Sequence, residues 1–374
     1  MERSRVNLLI PGPTPLPPEV REAMSTAMVD HRGAEFGRIL RDVLAGVAQI
    51  FQTTSPVLMF AASGTGGLEA AVVNVLSPGD RVLALSCGMF GDRFASVARA
   101  FGAEVIVEEA PWGCGIDPQQ VTEALRRHAR VRAVLVTHNE TSTGVTNDLR
   151  GIAEAVRGSG ALLLVDAVSS LGAIDLRADA WGLDVVVTGS QKALMGPPGG
   201  VFISVSPNAW EASKVARMPR HYFSFAMARD QLASEAAYTP FTPAIPVIYA
   251  LAVSIPMILR EGLPARFAHH RRLAEMTRTG VQALGLELFA QARWASETVT
   301  AVRVPAGIDG KELRARLREQ FGVAVAGGQG ALDGRIFRIG HMGYVQEAQI
   351  VEALAALERV LAELGHRRSP VSSR

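Results

Sequence analysis

Between residues 55 and 205 the chain alternates short, unbroken apolar runs with stretches whose apolar positions recur at helical spacing. The runs are Val57–Ala61, Arg81–Leu85, Val105–Val107, Ala133–Thr137, Leu162–Val165, Val185–Val187 and Val201–Val205. Between most of them lie helical lengths such as "LEAAVVNVL", "FASVARAFG", "PQQVTEALRRHA" and "LRGIAEAVRGSG". A strand that is apolar at every position has both faces covered, so this alternation predicts a parallel sheet with helices on either side. Beyond "AIPVIYALAVSIPMILREG" the texture changes. A long helix over Pro264–Leu284 precedes strands at Thr298–Val304 and Ile336–Ile339, with helices at Gly310–Gln320 and Gln346–Ala362. The pattern predicts an α/β protein: a large, mostly parallel domain over residues 1–257 with an N-terminal arm, and a smaller α+β domain over residues 258–374.

Composition narrows the partners. A length of 374 residues accommodates two such domains. The formal net charge of +2 supplies no general field for gathering nucleic acid or an anionic membrane, so neither is expected as a partner. The two cysteines, Cys87 and Cys114, make neither a disulfide framework nor a zinc-ligand spacing, which points to a reducing compartment. The start, "MERSRVNLLIPGPTPLPP", has an apolar run of three residues before Pro11, too short for a signal peptide. No run of about 18 apolar residues is present. The expectation is a cytoplasmic protein ending in a polar tail, "HRRSPVSSR".

In an open parallel sheet, ligands bind outside the carboxyl ends of the strands, so the residues just past each strand matter most. After residues 57–61 come Ser63-Gly64-Thr65-Gly66-Gly67 and a helix, whose free N–H groups and positive dipole end suit a phosphate. After residues 133–137 comes the hydroxyl-rich "HNETSTG". After residues 162–165 comes Asp166, and after residues 185–187 comes Thr188-Gly189-Ser190-Gln191-Lys192, with the stiff loop Gly196-Pro197-Pro198-Gly199-Gly200 behind it. Singly, each has an ordinary explanation. Lysines are mostly solvated surface charges, and an Asp at a strand end is mostly a turn or cap residue. The glycine loop is not a dinucleotide fingerprint, since the next strand, "RVLALS", ends in Ser86 rather than an acid. "HNE" opens like a zinc deaminase, yet no Pro-Cys-x-x-Cys comes after it. The histidines read as structural, with His269-His270 on a charged helix face and no metal site expected.

Together the groups point to one chemistry. Pyridoxal 5'-phosphate needs a lysine for its aldehyde, a carboxylate for its pyridine nitrogen, and donors for its phosphate. The motifs "LLIPGPTPLPPEV", "HRGAEFGRIL", "SGTGGLEAAVVNVLSPGD", "GMFGDR", "THNETSTGV", "LLLVDAVSSLG", "GSQKALMGPPG", "TPFTPAIPVIYAL" and "FRIGHMG" run over nearly the whole chain. By these it resembles the class V aminotransferases of fold type I, in the alanine/serine–glyoxylate aminotransferase group. The resemblance implies that Lys192 carries the internal aldimine and Asp166 bonds the pyridine nitrogen. It implies that Ser63, Gly64, Thr65 and Gln191 hold the phosphate, and that Thr141 bonds the phenolic oxygen. Val168 and Phe90 would cover the two ring faces, and Arg338 would grip the substrate α-carboxylate. Thr242 would reach the phosphate of a neighbouring subunit, which implies a homodimer; Phe241 stands where many relatives carry Tyr.

The function so implied is transfer of an amino group from alanine or serine to glyoxylate by a ping-pong route, with ureidoglycine as the alternative donor. Pro11-Gly12-Pro13 and residues 31–33 are expected to close a small pocket. A cysteine desulfurase would need Ser-His-Lys at the lysine and a late reactive Cys; here Gln191 precedes Lys192 and no Cys occurs after residue 114. A non-catalytic nucleotide-binding module would explain the α/β pattern but not the lysine, aspartate and glycine loop at one sheet edge.

Overall fold

In the computed structural model, which describes residues 6–366, the unbroken apolar runs become strands, buried on both faces except for the half-buried run Val105–Val107 at the sheet edge. In chain order they are β1 (Asn7–Leu9), β2 (Val57–Phe60), β3 (Arg81–Ser86), β4 (Glu104–Glu109) and β5 (Val131–Thr137). A short hairpin comes next, β6 (Asn139–Glu140) and β7 (Val145–Thr146), then β8 (Leu162–Asp166), β9 (Val185–Gly189) and β10 (Val201–Val205). The last three are β11 (Val299–Arg303), β12 (Val323–Gly327) and β13 (Ile336–Gly340).

Seven strands form one sheet in the order β2-β10-β9-β8-β5-β3-β4. The pairs from β9 through β8, β5 and β3 to β4 are parallel, and β10 is antiparallel to both β2 and β9. The chain steps outward from β3 to β4 and then returns past β3 to β5, so the winding reverses there. Such a reversal opens a crevice at the carboxyl ends of the strands. Alternation along β9 feeds two cores: Val186 packs with Phe36, Leu40 and Phe202 on one face, while Val185 and Val187 pack with Leu68 and Val201 on the other. Helix Gly64–Val75 lies directly on the second face, where a Cβ added to Gly67 would collide with the side chains of Val187 and Val201.

The remaining strands form a second sheet, β1-β12-β13-β11. It shares an apolar core with helices Leu263–Ala283, Gly310–Phe321 and Glu347–Glu363 through Leu273, Leu317, Phe337 and Leu357. The helix Gly310–Phe321 shows how locally its ends are written: the Asp309 side chain accepts from Lys311 N at 2.7 Å, and Gly322 closes it at φ 66. The expected boundary after residue 257 falls inside helix Ile245–Glu261, and the N-terminal arm crosses it, since β1 pairs with β12. Neither β1 nor β12 is announced by sequence: one is three residues long and the other, "VAVAG", is built of small residues. The polar tail from residue 367 onward lies outside the described residues. Among the described residues no single helix is long and apolar enough to cross a membrane.

Gly67→Ala is expected to push the helix carrying Ser63–Thr65 off the sheet. Overpacking of this kind costs about 1–3 kcal/mol, measurable as a lower urea midpoint at unchanged m-value. An unaltered midpoint would show that the helix start is not pressed against β9 and β10.

Candidate active site

Five strand ends converge on one cavity of about 200 Å3. Ser63, Gly64 and Thr65 come after β2, while Phe90 and Arg93 come after β3; Asn139 and Thr141 lie beyond β5. Asp166 ends β8, with Val168 and Ser169 just past it, and Gln191 and Lys192 lie beyond β9. A larger groove of about 710 Å3 opens at the opposite, amino-terminal edge. Arg157 and Glu211 there are exposed and Asp184 is a buried carboxylate, but no lysine amine lines it.

The lysine is held by the loop that carries it. Ser190 Oγ donates to the Pro197 carbonyl at 2.5 Å and accepts from Gly200 N at 3.2 Å, so the glycine–proline loop folds back against the strand end. Thr14 N donates to the Gln191 carbonyl at 3.1 Å and Thr14 Oγ1 to the Lys192 carbonyl at 3.1 Å, tying on the N-terminal arm. Buried Arg266 donates to the carbonyls of Ala193 (3.2 Å) and Gly343 (2.9 Å) and pairs with Glu261 at 3.0 Å. The Lys192 amine itself donates to the Pro11 carbonyl, with Gly12 beside it at φ 124, where a Cβ would sit 2.5 Å from Nζ. Burial pulls its pKa down to about 8; nearby Asp166 opposes the shift and Arg338 adds to it.

Asp166 is buried, and its Oδ1 accepts from Val168 N at 2.9 Å. Burial raises its pKa to about 6, against the Val168 N–H and the charges of Lys192 and Arg93. Across the cavity, Ser63 stands before helix Gly64–Val75 in extended backbone, and its side chain caps nothing. The first N–H groups of that helix therefore remain for an anion. Gly64 is needed because a Cβ there would lie 2.7 Å from Val168 Cγ2. Gln191 contributes an amide whose buried Oε1 has no hydrogen-bond partner among the described residues.

Phe90 is placed by a residue that the sequence motifs do not single out. Glu140, fully buried, accepts from Phe90 N and Gly91 N, both at 3.0 Å, through Oε2. Its Oε1 accepts from Ser142 N at 3.1 Å and Ser142 Oγ at 2.6 Å. A carboxylate thus caps helix Met89–Ala100 from a neighbouring strand end, and burial raises its pKa against these bonds. The Arg93 guanidinium lies 4.9 Å from the Phe90 ring centroid. Asn139, Ser169 and Arg93 line the cavity and are likewise absent from the residues expected from sequence. Their only signal lies inside "HNE", "AVSS" and "GMFGDR", where nothing distinguishes them from loop polarity.

Arg338 does not line the cavity but is buried beside it, unlike exposed Arg335. Its Nε donates to the Gly327 carbonyl at 2.8 Å and its Nη1 to the Thr141 carbonyl at 3.0 Å. Burial lowers its pKa to about 10, so it remains a cation at neutral pH. Thr242 lies outside this cavity and is exposed, while its neighbour Phe241 stacks on Tyr222 with ring centroids 4.8 Å apart. Residues 31–33 do not line the cavity either. His270, expected on a charged helix face, is fully buried: Nδ1 meets the Arg266 carbonyl at 2.8 Å, and Nε2 accepts from Gly343 N at 3.1 Å. The neighbouring backbone fixes that ring as a neutral strut.

The arrangement suits a flat, anionic aldehyde: an amine, a carboxylate and an uncapped helix start in one cavity that Val168 and Phe90 also line. Comparison with known proteins points the same way. Residues 6–345 match the family model for class V aminotransferases. The chain is 45% identical to a protein named soluble hydrogenase small subunit from Synechococcus sp., over 97% of this chain and 95% of that one. It is 41% identical to L-aspartate–glyoxylate aminotransferase from Paracoccus denitrificans, covering 96% and 91% of the two chains. The crystal structure of alanine–glyoxylate aminotransferase from Nostoc sp. superimposes with a TM-score of 0.93 at 33% identity, covering 96% of each chain. Other relatives are named serine–glyoxylate aminotransferase and (S)-ureidoglycine–glyoxylate transaminase. With the family model matching most of its length, this chain belongs to the class V aminotransferases.

Proposed function

We propose that the protein moves an amino group from a small amino acid, alanine or serine first and ureidoglycine second, to glyoxylate, using pyridoxal 5'-phosphate. The observation that carries this reading is that Lys192, Asp166 and the uncapped start of helix Gly64–Val75 line one cavity. Glyoxylate as acceptor is supported by the small cavity and by the shared acceptor in the names of the aminotransferase relatives. The reading draws on that constellation and those relatives rather than on the hydrogenase name of another.

Bound there, the cofactor would supply an electron sink that acidifies the substrate Cα–H. Ser63, Gly64, Thr65 and Gln191 would hold its phosphate, Thr141 its phenolic oxygen, and Val168 and Phe90 its faces. Asp166 stays ionised at neutral pH, since its pKa is about 6, and so can hold a proton on the ring nitrogen. Lys192, at about 8, lies close enough to neutrality both to accept and to return a proton at Cα. Arg338 would meet the substrate α-carboxylate through its planar fork. Thr242, exposed on its own chain, is free to reach the phosphate of a second subunit, which makes a homodimer part of the proposal.

Lys192→Ala should still bind pyridoxal phosphate but lose the borohydride-reducible absorbance and slow turnover by several orders of magnitude. A panel of amino donors against glyoxylate then names the substrate; full activity in the variant sinks the assignment.

Asp166 has an ordinary value of 3.8 and a folded value of about 6. Between these the folded chain holds the extra proton, so the contribution of this group to cofactor-free stability falls as pH rises through that window. Asp166→Asn should therefore melt higher than wild type at pH 7.5 without cofactor, the gap narrowing towards pH 4, while binding pyridoxal phosphate more weakly. Equal melting temperatures at pH 7.5 would contradict the burial cost.

Light scattering should report a dimer, and Thr242→Val should weaken cofactor binding while leaving the dimer intact. A monomer with full cofactor occupancy removes Thr242 from the site.

A further inference from the structure

Asn139 lines the cavity, yet it has nothing to offer a ligand there. A side-chain amide has two acceptor and two donor positions, and all four are engaged. Its Oδ1 accepts from Thr146 Oγ1 at 2.8 Å and Ser296 Oγ at 2.6 Å. Its Nδ2 donates to Ser169 Oγ at 2.9 Å and Thr298 Oγ1 at 3.0 Å. Asn139, Ser169, Ser296 and Thr298 are all buried. The hydroxyl directions are mutually consistent: Ser169 Oγ donates back to the Asn139 carbonyl at 2.9 Å, and Thr298 Oγ1 lies 3.2 Å from Ser296 Oγ.

Two of these partners belong to the unit of the seven-stranded sheet, and the other two immediately precede β11 of the second sheet. From Thr298 the path runs straight to Arg338. The Thr298 carbonyl accepts from His341 N at 2.9 Å, and β11 pairs with β13 so that Ala301 faces Arg338. Arg338 Nη1 returns to the carbonyl of Thr141, two residues beyond Asn139. The result is a closed ring: Asn139 to Thr141, across to Arg338, along β13 to His341, across to Thr298, and back to the Asn139 amide. Breaking the amide side removes the side-chain tie of this ring and leaves the Arg338–Thr141 bond together with the backbone bond from Ser296 N to the Gly144 carbonyl at 2.9 Å.

We propose that Asn139 is a positioning residue: its amide locks β11 to the end of β5 and thereby fixes the Arg338 guanidinium at the distance the substrate carboxylate requires. This rests on the reading of Arg338 as the carboxylate anchor. A fully satisfied buried network suits the task, because any displacement of the second sheet strands several buried polar groups at once.

The test uses the holoenzyme and glycolate, an unreactive carboxylate, titrated by calorimetry alongside steady-state kinetics. Thr298→Val removes one of the two cross-unit partners and leaves Ser296 in place, Thr146→Val removes a partner within the first unit, and Asn139→Ala removes all four bonds. Thr298→Val should weaken glycolate binding and raise KM for glyoxylate on the order of tenfold, with kcat within about twofold and cofactor affinity unchanged. Thr146→Val should leave glycolate binding near wild type. In an Arg338→Lys background, Thr298→Val should add little, because the group it positions is already gone. If Arg338→Lys leaves glycolate affinity intact, the carboxylate anchor is wrong and the proposal falls with it. If Arg338→Lys weakens binding but Thr298→Val adds its full factor on top, or only lowers Tm, then Arg338 keeps its role and Asn139 is merely structural. Should Asn139→Ala fail to fold, the threonine pair still decides.

Discussion

A half-buried amine and a buried carboxylate in one cavity, without forming an ion pair with each other, set the terms for the rest of this protein. Burial lowers Lys192 to about 8 even though Asp166 opposes the shift, and raises Asp166 to about 6 even though Lys192 opposes it. Each charge is therefore held at a cost its neighbour only partly offsets. A fold bears that cost only if the supports are rigid. Here Ser190 and Pro197 brace the lysine loop, Arg266 and Thr14 tie it to other elements, and the Val168 N–H steadies the aspartate. A cofactor bringing a ring cation to Asp166 and an aldehyde to Lys192 would relieve both costs, which gives the site a thermodynamic reason to bind it.

The segment from Thr137 to Ser142 organises the rest of the cavity. His138 N bonds the Asp166 carbonyl at 2.9 Å, and Asn139 joins the two sheets. Glu140 sets the helix that carries Phe90, and Thr141 lines the cavity and gives its carbonyl to Arg338. Neighbouring residues here serve different walls because they alternate about a short hairpin closed by Gly144 at φ 72. Ala301 of the second sheet packs against that glycine, where a Cβ would lie 3.0 Å from its own. The turn is therefore also a docking surface between the sheets.

Residue by residue, the sequence announces the chemistry better than the framework that supports it. Lys192, Asp166 and Ser63–Thr65 come directly after strands recognisable by unbroken apolar runs, and a strand end determines where its next residue goes. Glu140 and Arg266 carry no such signal. A charged residue in a polar stretch, such as Glu140, or on a charged helix, such as Arg266, is ordinarily solvated, and only the approach of a distant element shows that it is buried. Residues 31–33, expected to close the pocket, do not line the cavity of a single chain, and Thr242, expected to reach a neighbouring subunit, does not line it either.

Local sequence was enough to determine the alternating strands and helices of the seven-stranded sheet and the groups delivered to its edge, because period and burial are local properties of the chain. It was also enough for the helices of the C-terminal part, whose caps are written in single residues such as Asp309 and Gly322. The assembled fold alone settled that β1 crosses to the second sheet, that β10 runs antiparallel, and that Asn139, Thr298 and Arg338 close one ring. Those outcomes depend on pairings between residues as far apart as Asn7 and Val323. Whether a polar side chain there is satisfied or stranded is fixed by its partner, and no periodicity records the partner.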